Sequence, residues 1–221
     1  MALFCDDQFT DTAGTSLSSH TPTGRGGTWT RHASAGASAS LVISDANRCR
    51  LGGTNTGLVL FYLSDAPAGN EYDVECSLYF ATASQLLGPA GRVATGANSA
   101  YFARCNSSAG TWELHKVVSG TVTLLGSWAP GTPPSAGETH SVRLEIRSGA
   151  KKLHVDGVER ISSTDDTHTS TGRAGLRDFS NAAGSNTTGV HVDDFRAADL
   201  SRLRPAGLAG GVHDLEGGHR G

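Results

Sequence analysis

The stretch HSVRLEIR, residues 140–147, alternates apolar and charged side chains from His140 to Arg147. A β-strand sends successive side chains to opposite faces, so Val142, Leu144 and Ile146 share one face while Arg143, Glu145 and Arg147 share the other. The same period of two recurs in SASLVIS (38–44), GLVLFYL (57–63), EYDVECSLYF (71–80), SAYFARC (99–105), TWELHKVV (111–118) and TVTLLGS (121–127). It returns in KKLHV (151–155), VERIS (158–162), AGLRDFS (174–180) and GVHVDDFRA (189–197). Gly, Pro, Asn or Ser bounds each run and none carries a helical period, a pattern of antiparallel sheets rather than βαβ units. VSGTV around Gly120 and VDGVE around Asp156-Gly157 read as tight hairpins. Strands with one apolar face must stack, so the predicted fold is all-β: a two-sheet antiparallel β-sandwich.

At 221 residues, the chain is long enough for one such domain with a single core. A formal net charge of -3 and a pI near 6.3 leave no basic footprint for DNA or RNA, so no nucleic-acid partner is expected. No run approaches the roughly 18 apolar residues that span a bilayer, so no membrane insertion is expected. The opening MALFCDDQFTDTAG has neither a charged n-region nor a long apolar h-region, which makes folding in a cytosol the expectation. Cys5, Cys49, Cys76 and Cys105 lack the C-x-x-C spacing of zinc sites and read as buried free thiols.

Residues 7–29, DQFTDTAGTSLSSHTPTGRGGTW, hold Asp7, Phe9, Asp11, Gly14, Leu17, His20, Pro22 and Trp29. This pattern resembles the opening of laminin-G-like, concanavalin A-like jelly-roll domains of carbohydrate-binding modules and bacteriophage virion proteins. KKLHVDGVERISSTDD with the later TGRAGL is similar to that family's hairpin and Gly-x-x-Gly segment, and VHVDDFRA to its closing strand, which lies beside the first. The resemblance covers residues 4 to 198 and implies a concanavalin A-like jelly roll over residues 1–199. After Leu200 the chain becomes Gly-rich, and 200–221 reads as an extended C-terminal arm ordered by a neighbouring subunit.

Glu71, Asp73 and Glu75 form E-x-D-x-E on the polar face of one strand and resemble the motif of retaining glucanases with this jelly roll. There the first Glu is nucleophile and the last acid/base, and such chemistry needs two carboxyls flanking the scissile bond. Tyr72 replaces the motif's aliphatic residue, and any solvated strand face alternates in this way, so no enzyme is expected. Trp128 and Tyr79 are the candidate sugar-stacking residues, Trp128 because it opens the Pro/Gly-rich SWAPGTPPSAGE. Asp7 and Asp193 are candidate ligands of a structural calcium ion, with Asp6, Asp11 and Asp194 beside them; no other cofactor is implied.

The resemblance and the arm together imply a bacteriophage virion structural protein. It would be assembled in the host cytoplasm, bound to neighbouring virion subunits through the arm, and displayed as a head decoration or tail accessory. The exposed sandwich would adsorb to glycans. A free carbohydrate-binding lectin module is the first alternative, and a retaining glycoside hydrolase using Glu71 and Glu75 the second.

Overall fold

The computed structural model describes residues 2–36, 38–54, 57–82, 86–180 and 182–200. Of the predicted arm, only Leu200 falls among them, its amide donating to the Glu71 carbonyl at 3.2 Å; residues 201–221 lie outside the described residues. In chain order the strands are β1 (Ala2–Asp7), β2 (Trp29–Arg31), β3 (Leu41–Ile43), β4 (Cys49–Leu51), β5 (Gly53–Thr54) and β6 (Val59–Leu63). Then come β7 (Tyr72–Phe80), β8 (Gly88–Val93), β9 (Ala100–Asn106), β10 (Thr111–Val118), β11 (Thr121–Trp128) and β12 (Thr139–Arg147). The last are β13 (Ala150–Val155), β14 (Val158–Ser163), β15 (Arg173–Asp178), β16 (Ala183–Gly184) and β17 (Val190–Asp199).

Two antiparallel sheets form the jelly-roll sandwich. One has eight strands in the order β14-β13-β12-β7-β17-β4-β3, with β1 also paired to β17. The other has seven in the order β11-β10-β9-β8-β15-β6-β2, and β5 pairs with β16 apart from both. The closing strand lies beside the first as expected, Asp7 opposite Phe195. Strand alternation builds the core between the sheets: Tyr72, Val74, Cys76, Leu78 and Phe80 of β7 and Val142, Leu144 and Ile146 of β12 are all buried there. The four cysteines are buried and unpaired, and burial pushes the Cys105 thiol up to about 12.

Both predicted hairpins form. Ser119 and Gly120 have φ of 47° and 90°, and Asp156 and Gly157 have φ of 52° and 76°. Two successive left-handed residues match the right-handed twist of the strands they join. Sequence pattern misses β8, GPAGRV, because Gly and Pro argue against a strand. At its centre Gly91 makes room for a neighbour: a Cβ there would lie 2.1 Å from Cδ1 of Ile146 in the facing sheet.

A strap, residues 164–172, ties the sheets together at one end. Tyr101 of β9 donates to Asp165 at 2.7 Å, and Lys116 of β10 pairs with the same carboxylate. From the other sheet, Lys151 of β13 is fully buried and donates to the Asp165 carbonyl at 3.0 Å and to Asp166 at 3.1 Å. Burial depresses the Lys151 pKa, and the bond to Asp166 opposes that shift. A buried ammonium needs partners of this kind, since leaving it unpaired costs several kcal/mol.

Candidate functional site

The carboxylate row lines two different openings. Asp73, on the outer face of β7, lies 3.0 Å from Arg143 Nη1 and 2.7 Å from Arg147 Nη2. Arg143 also meets Glu145 at 3.1 Å, and Lys152 pairs with Glu159 at 2.7 Å. His154 Nε2 is 3.2 Å from Glu145 while its Nδ1 is 3.0 Å from Arg143, so the ring is neutral, and burial followed by the Arg143 charge lowers its pKa. The face is a web of mutually neutralised charges. A cavity of about 290 Å³ opens on it, lined by Leu3, Asp73, Glu75, Arg143, Arg196 and Ala198. Glu71 precedes the strand and lines a different opening with Ala68, Gly69, Asn70, Asp199 and Leu200. No aromatic side chain is among the residues lining either opening.

The predicted stacking residues already carry partners. Trp128 is the last residue of β11, where the loop 129–138 begins; it sits opposite Trp112 and holds the Arg160 guanidinium 4.1 Å above its ring. Tyr79 has Arg48 at 4.0 Å over one face and the His191 ring edge-on at 5.9 Å. A sugar would have to displace a cation from either ring or use its other face.

The predicted calcium ligands are separated in chemistry as well as position. Asp7 is fully buried and accepts from Trp29 Nε1 at 2.8 Å and from the Phe9 amide at 2.9 Å, with His20 Nε2 at 2.9 Å. Asp11 engages His20 Nδ1 at 3.0 Å. Asp193 lies 3.5 Å from Arg48, Asp194 accepts from Ser77 at 3.3 Å, and Asp6 pairs with Arg196 at 3.3 Å. No group of three or more His, Cys, Asp or Glu arranged to hold a metal occurs among the described residues.

A different cluster stands on the outer face of the seven-stranded sheet. On β10, Thr111, Glu113, His115 and Val117 point away from the core; in register on β9 are Asn106, Arg104, Phe102 and Ala100. Glu113 collects four donors: Arg104 Nε at 2.8 Å, His115 Nε2 at 2.8 Å, Asn106 Nδ2 at 3.0 Å and the Thr111 hydroxyl at 3.2 Å. Burial works against its charge, but the bonds from His115, Arg104 and Asn106 prevail and hold its pKa at about 2. His115 must donate through Nε2, so its Nδ1 is an acceptor; that atom is buried without a partner among the described residues. Burial lowers the His115 pKa, which keeps the ring neutral.

Beside this network, Phe102 is sandwiched. His115 stacks on it at 4.9 Å and 7°, and the Arg177 guanidinium of β15 lies 4.1 Å from its centroid. Between Arg104 and Arg177 the intervening strand carries Gly88, opposite Arg177, where a Cβ would fall 2.1 Å from the Ala103 carbonyl oxygen. Ala90, opposite Phe102, and Gly175, opposite Tyr62, continue the small-residue floor. Leu60 and the half-buried Tyr62 of β6 form its far wall. In side-chain size this face is a trough, large on the flanking strands and small in the middle. Sequence reasoning missed it, although SAYFARC held a signal: both alternating sets of that strand contain apolar residues, so neither face is plainly wet.

No family model matches the chain, and no curated protein matches it. Solved structures do. The carbohydrate-binding module CBM66 from Bacillus subtilis aligns with TM-score 0.59 and 13% identity over 78% of this chain and 97% of that one. A protein of unknown function with a galectin-like fold from Bacillus subtilis aligns with TM-score 0.59 and 14% identity, over 90% and 96%. A Bacillus licheniformis β-glucanase aligns with TM-score 0.53 and 11% identity, over 86% and 99%. These likenesses establish a jelly roll shared by lectin-like and glucanase domains, and at such identity they establish the fold alone.

Proposed function

We propose that the chain is a glycan-binding jelly-roll domain that holds its ligand in the trough of the seven-stranded sheet without hydrolysing it. The observation that carries the reading is Glu113, a carboxylate only 10% exposed that fixes Arg104, Asn106 and His115 in one polar rim beside the Phe102 and Tyr62 rings. Sugar recognition calls for this combination of pre-oriented hydrogen-bonding groups and an apolar wall. A carbohydrate-binding module among the fold neighbours supports it.

Two features support binding over hydrolysis. Glu113 and Asp178 are the acidic residues of those seven strands, and Asp178 is held on the other side by Ser180 and the Leu86 amide. Glycoside hydrolysis needs a pair of carboxyl groups around the bond, and a carboxylate saturated by four donors is a poor acid. The Glu71/Glu75 alternative predicts hydrolysis of a β-glucan that Glu71→Gln or Glu75→Gln abolishes. A glycan array tests the whole reading: Glu113→Gln should weaken binding by about tenfold or more, while Glu75→Gln should leave it unchanged. An array on which the native domain retains no glycan would overturn it.

The finer placement, a bacteriophage virion subunit anchored through residues 200–221, rests on the sequence resemblance. Deleting 201–221 should abolish attachment to particles and leave the sandwich folded; retained attachment would refute the arm's role.

A further inference from the structure

Arg177 is 3% exposed, yet no hydrogen bond or ion pair to its guanidinium occurs among the described residues, and its Nε is buried without a partner. Leaving a buried charge unpaired costs several kcal/mol, more than a surface domain retains without a reason. Its neighbour Asp178 does not neutralise it directly. That carboxylate points to the opposite side of β15 and is occupied by Ser180 and the Leu86 amide. Arg104 spends Nε on Glu113, and among the described residues its two terminal amino groups have no hydrogen-bond partner. With His115 neutral, two guanidinium groups face one carboxylate, and the trough keeps an excess positive charge.

Geometry narrows what can fill it. The Arg177 guanidinium carbon lies 4.1 Å over the Phe102 ring, so that ring covers one side of the group and its N–H donors must turn elsewhere for a partner. A guanidinium edge offers two parallel donors, which match the two coplanar oxygens of a carboxylate. Gly88, between the two arginines, adds no side chain of its own there, and the β9 backbone lies close against it. The unpartnered His115 Nδ1 adds one acceptor, suited to a hydroxyl beside that carboxylate.

We propose that the trough recognises a uronic-acid-bearing glycan, whose carboxylate is received edge-on by Arg177 with Arg104 beside it. The proposal rests on the glycan-binding reading of the same face and adds the ligand's charge and the residue that reads it.

The test is calorimetric titration of the native domain with oligouronates, oligogalacturonate among them, each against its methyl-esterified counterpart and against neutral oligosaccharides. The acid form should bind at least about tenfold tighter than its ester, and Arg177→Gln should erase that difference. Equal binding of acid, ester and neutral chains would overturn the carboxylate proposal and leave the glycan reading standing. Failure to bind any oligosaccharide would overturn both. A preference for the acid that survives Arg177→Gln would remove Arg177 from the site. Should Arg177→Gln not fold, Arg177→Lys keeps the charge without the planar fork; undiminished preference in that variant overturns the edge-on geometry.

Discussion

The indole Nε1 of Trp29 donates to Oδ2 of Asp7 at 2.8 Å, and Oδ1 of the same carboxylate lies 2.9 Å from Nε2 of His20. His20 reaches Asp11 through its other nitrogen at 3.0 Å, and Phe9, at φ 50°, packs 6.1 Å from both the Trp29 and His20 rings. Five of the residues that carry the sequence resemblance therefore form one polar knot, buried at Asp7, Phe9, His20 and Trp29, that joins β1 to β2. Two carboxylates around one imidazole use both ring nitrogens as donors, which favours the imidazolium.

The knot makes stability depend on pH from both sides. Burial opposes ionisation of Asp7, but hydrogen bonds from His20 and Trp29 lower its pKa overall; for Asp11 the His20 bond leads in the same direction. Burial opposes the charge on His20 as well, and the bonds to Asp7 and Asp11 raise its pKa nevertheless. The carboxylate contribution is complete above the unfolded value of 3.8 and is lost as pH falls through the lowered folded values. The His20 contribution is complete below 6.5 and is lost as pH rises through its raised folded value. Thermal unfolding followed across pH should show a plateau between those limits, and His20→Gln should flatten the alkaline decline. An alkaline limb unchanged in His20→Gln would refute the assignment.

The fold was largely legible, the site was not, and the difference is physical. β12 and β7 have one apolar set and one polar set, so alternation alone assigns their faces. Glu113 and Arg104 meet only because β9 and β10 pair in that register, and Arg177 arrives from a strand nearly seventy residues further on. In sequence each looks like an ordinary wet position. Gly88 and Gly91 hid β8 for the reason they are there: the strand is crowded by its neighbours on both faces.

That crowding gives a direct test at Gly91. Adding a methyl group would bring Cβ to 2.1 Å from Cδ1 of Ile146, which must then leave its place in the core. Gly91→Ala should cost about 1–3 kcal/mol of stability. Ile146→Val removes the clashing atom, so in a double-mutant cycle by chemical denaturation it should recover part of that loss. Strict additivity of the two substitutions would show that the contact does not control this position.

At the strap, Lys151 is the one lysine buried among the described residues, and it ties Asp165 and Asp166 to the Arg147 carbonyl at 2.8 Å. Lys151→Met would fill the space but leave the Asp165 carbonyl only the long bond from Tyr101 at 3.4 Å and the Asp166 carboxylate the long contact with Arg92 at 3.5 Å. Loss of roughly 3 kcal/mol is expected, with amide exchange accelerated first in residues 164–172. Exchange that rises uniformly over the sandwich would mean that the lysine supports the core rather than the strap.

Ligand affinity, by contrast with stability, should be flat across neutral pH. Glu113, at about 2, remains a carboxylate well below physiological acidity. His115 is pushed below its ordinary 6.5, so it stays neutral as pH rises from there. The neutral ring therefore dominates between about pH 7 and 8, and burial lowers the Arg177 pKa only to about 10, so that guanidinium stays charged over the same interval. Titrations over that interval should give one affinity, whereas His115→Gln, which keeps a donor for Glu113 but loses the flat stack on Phe102, should weaken binding at every pH alike. An affinity that climbs steeply as pH falls through 6.5 would mean that His115 binds as a cation, and the polarity assigned to the rim would have to be reversed.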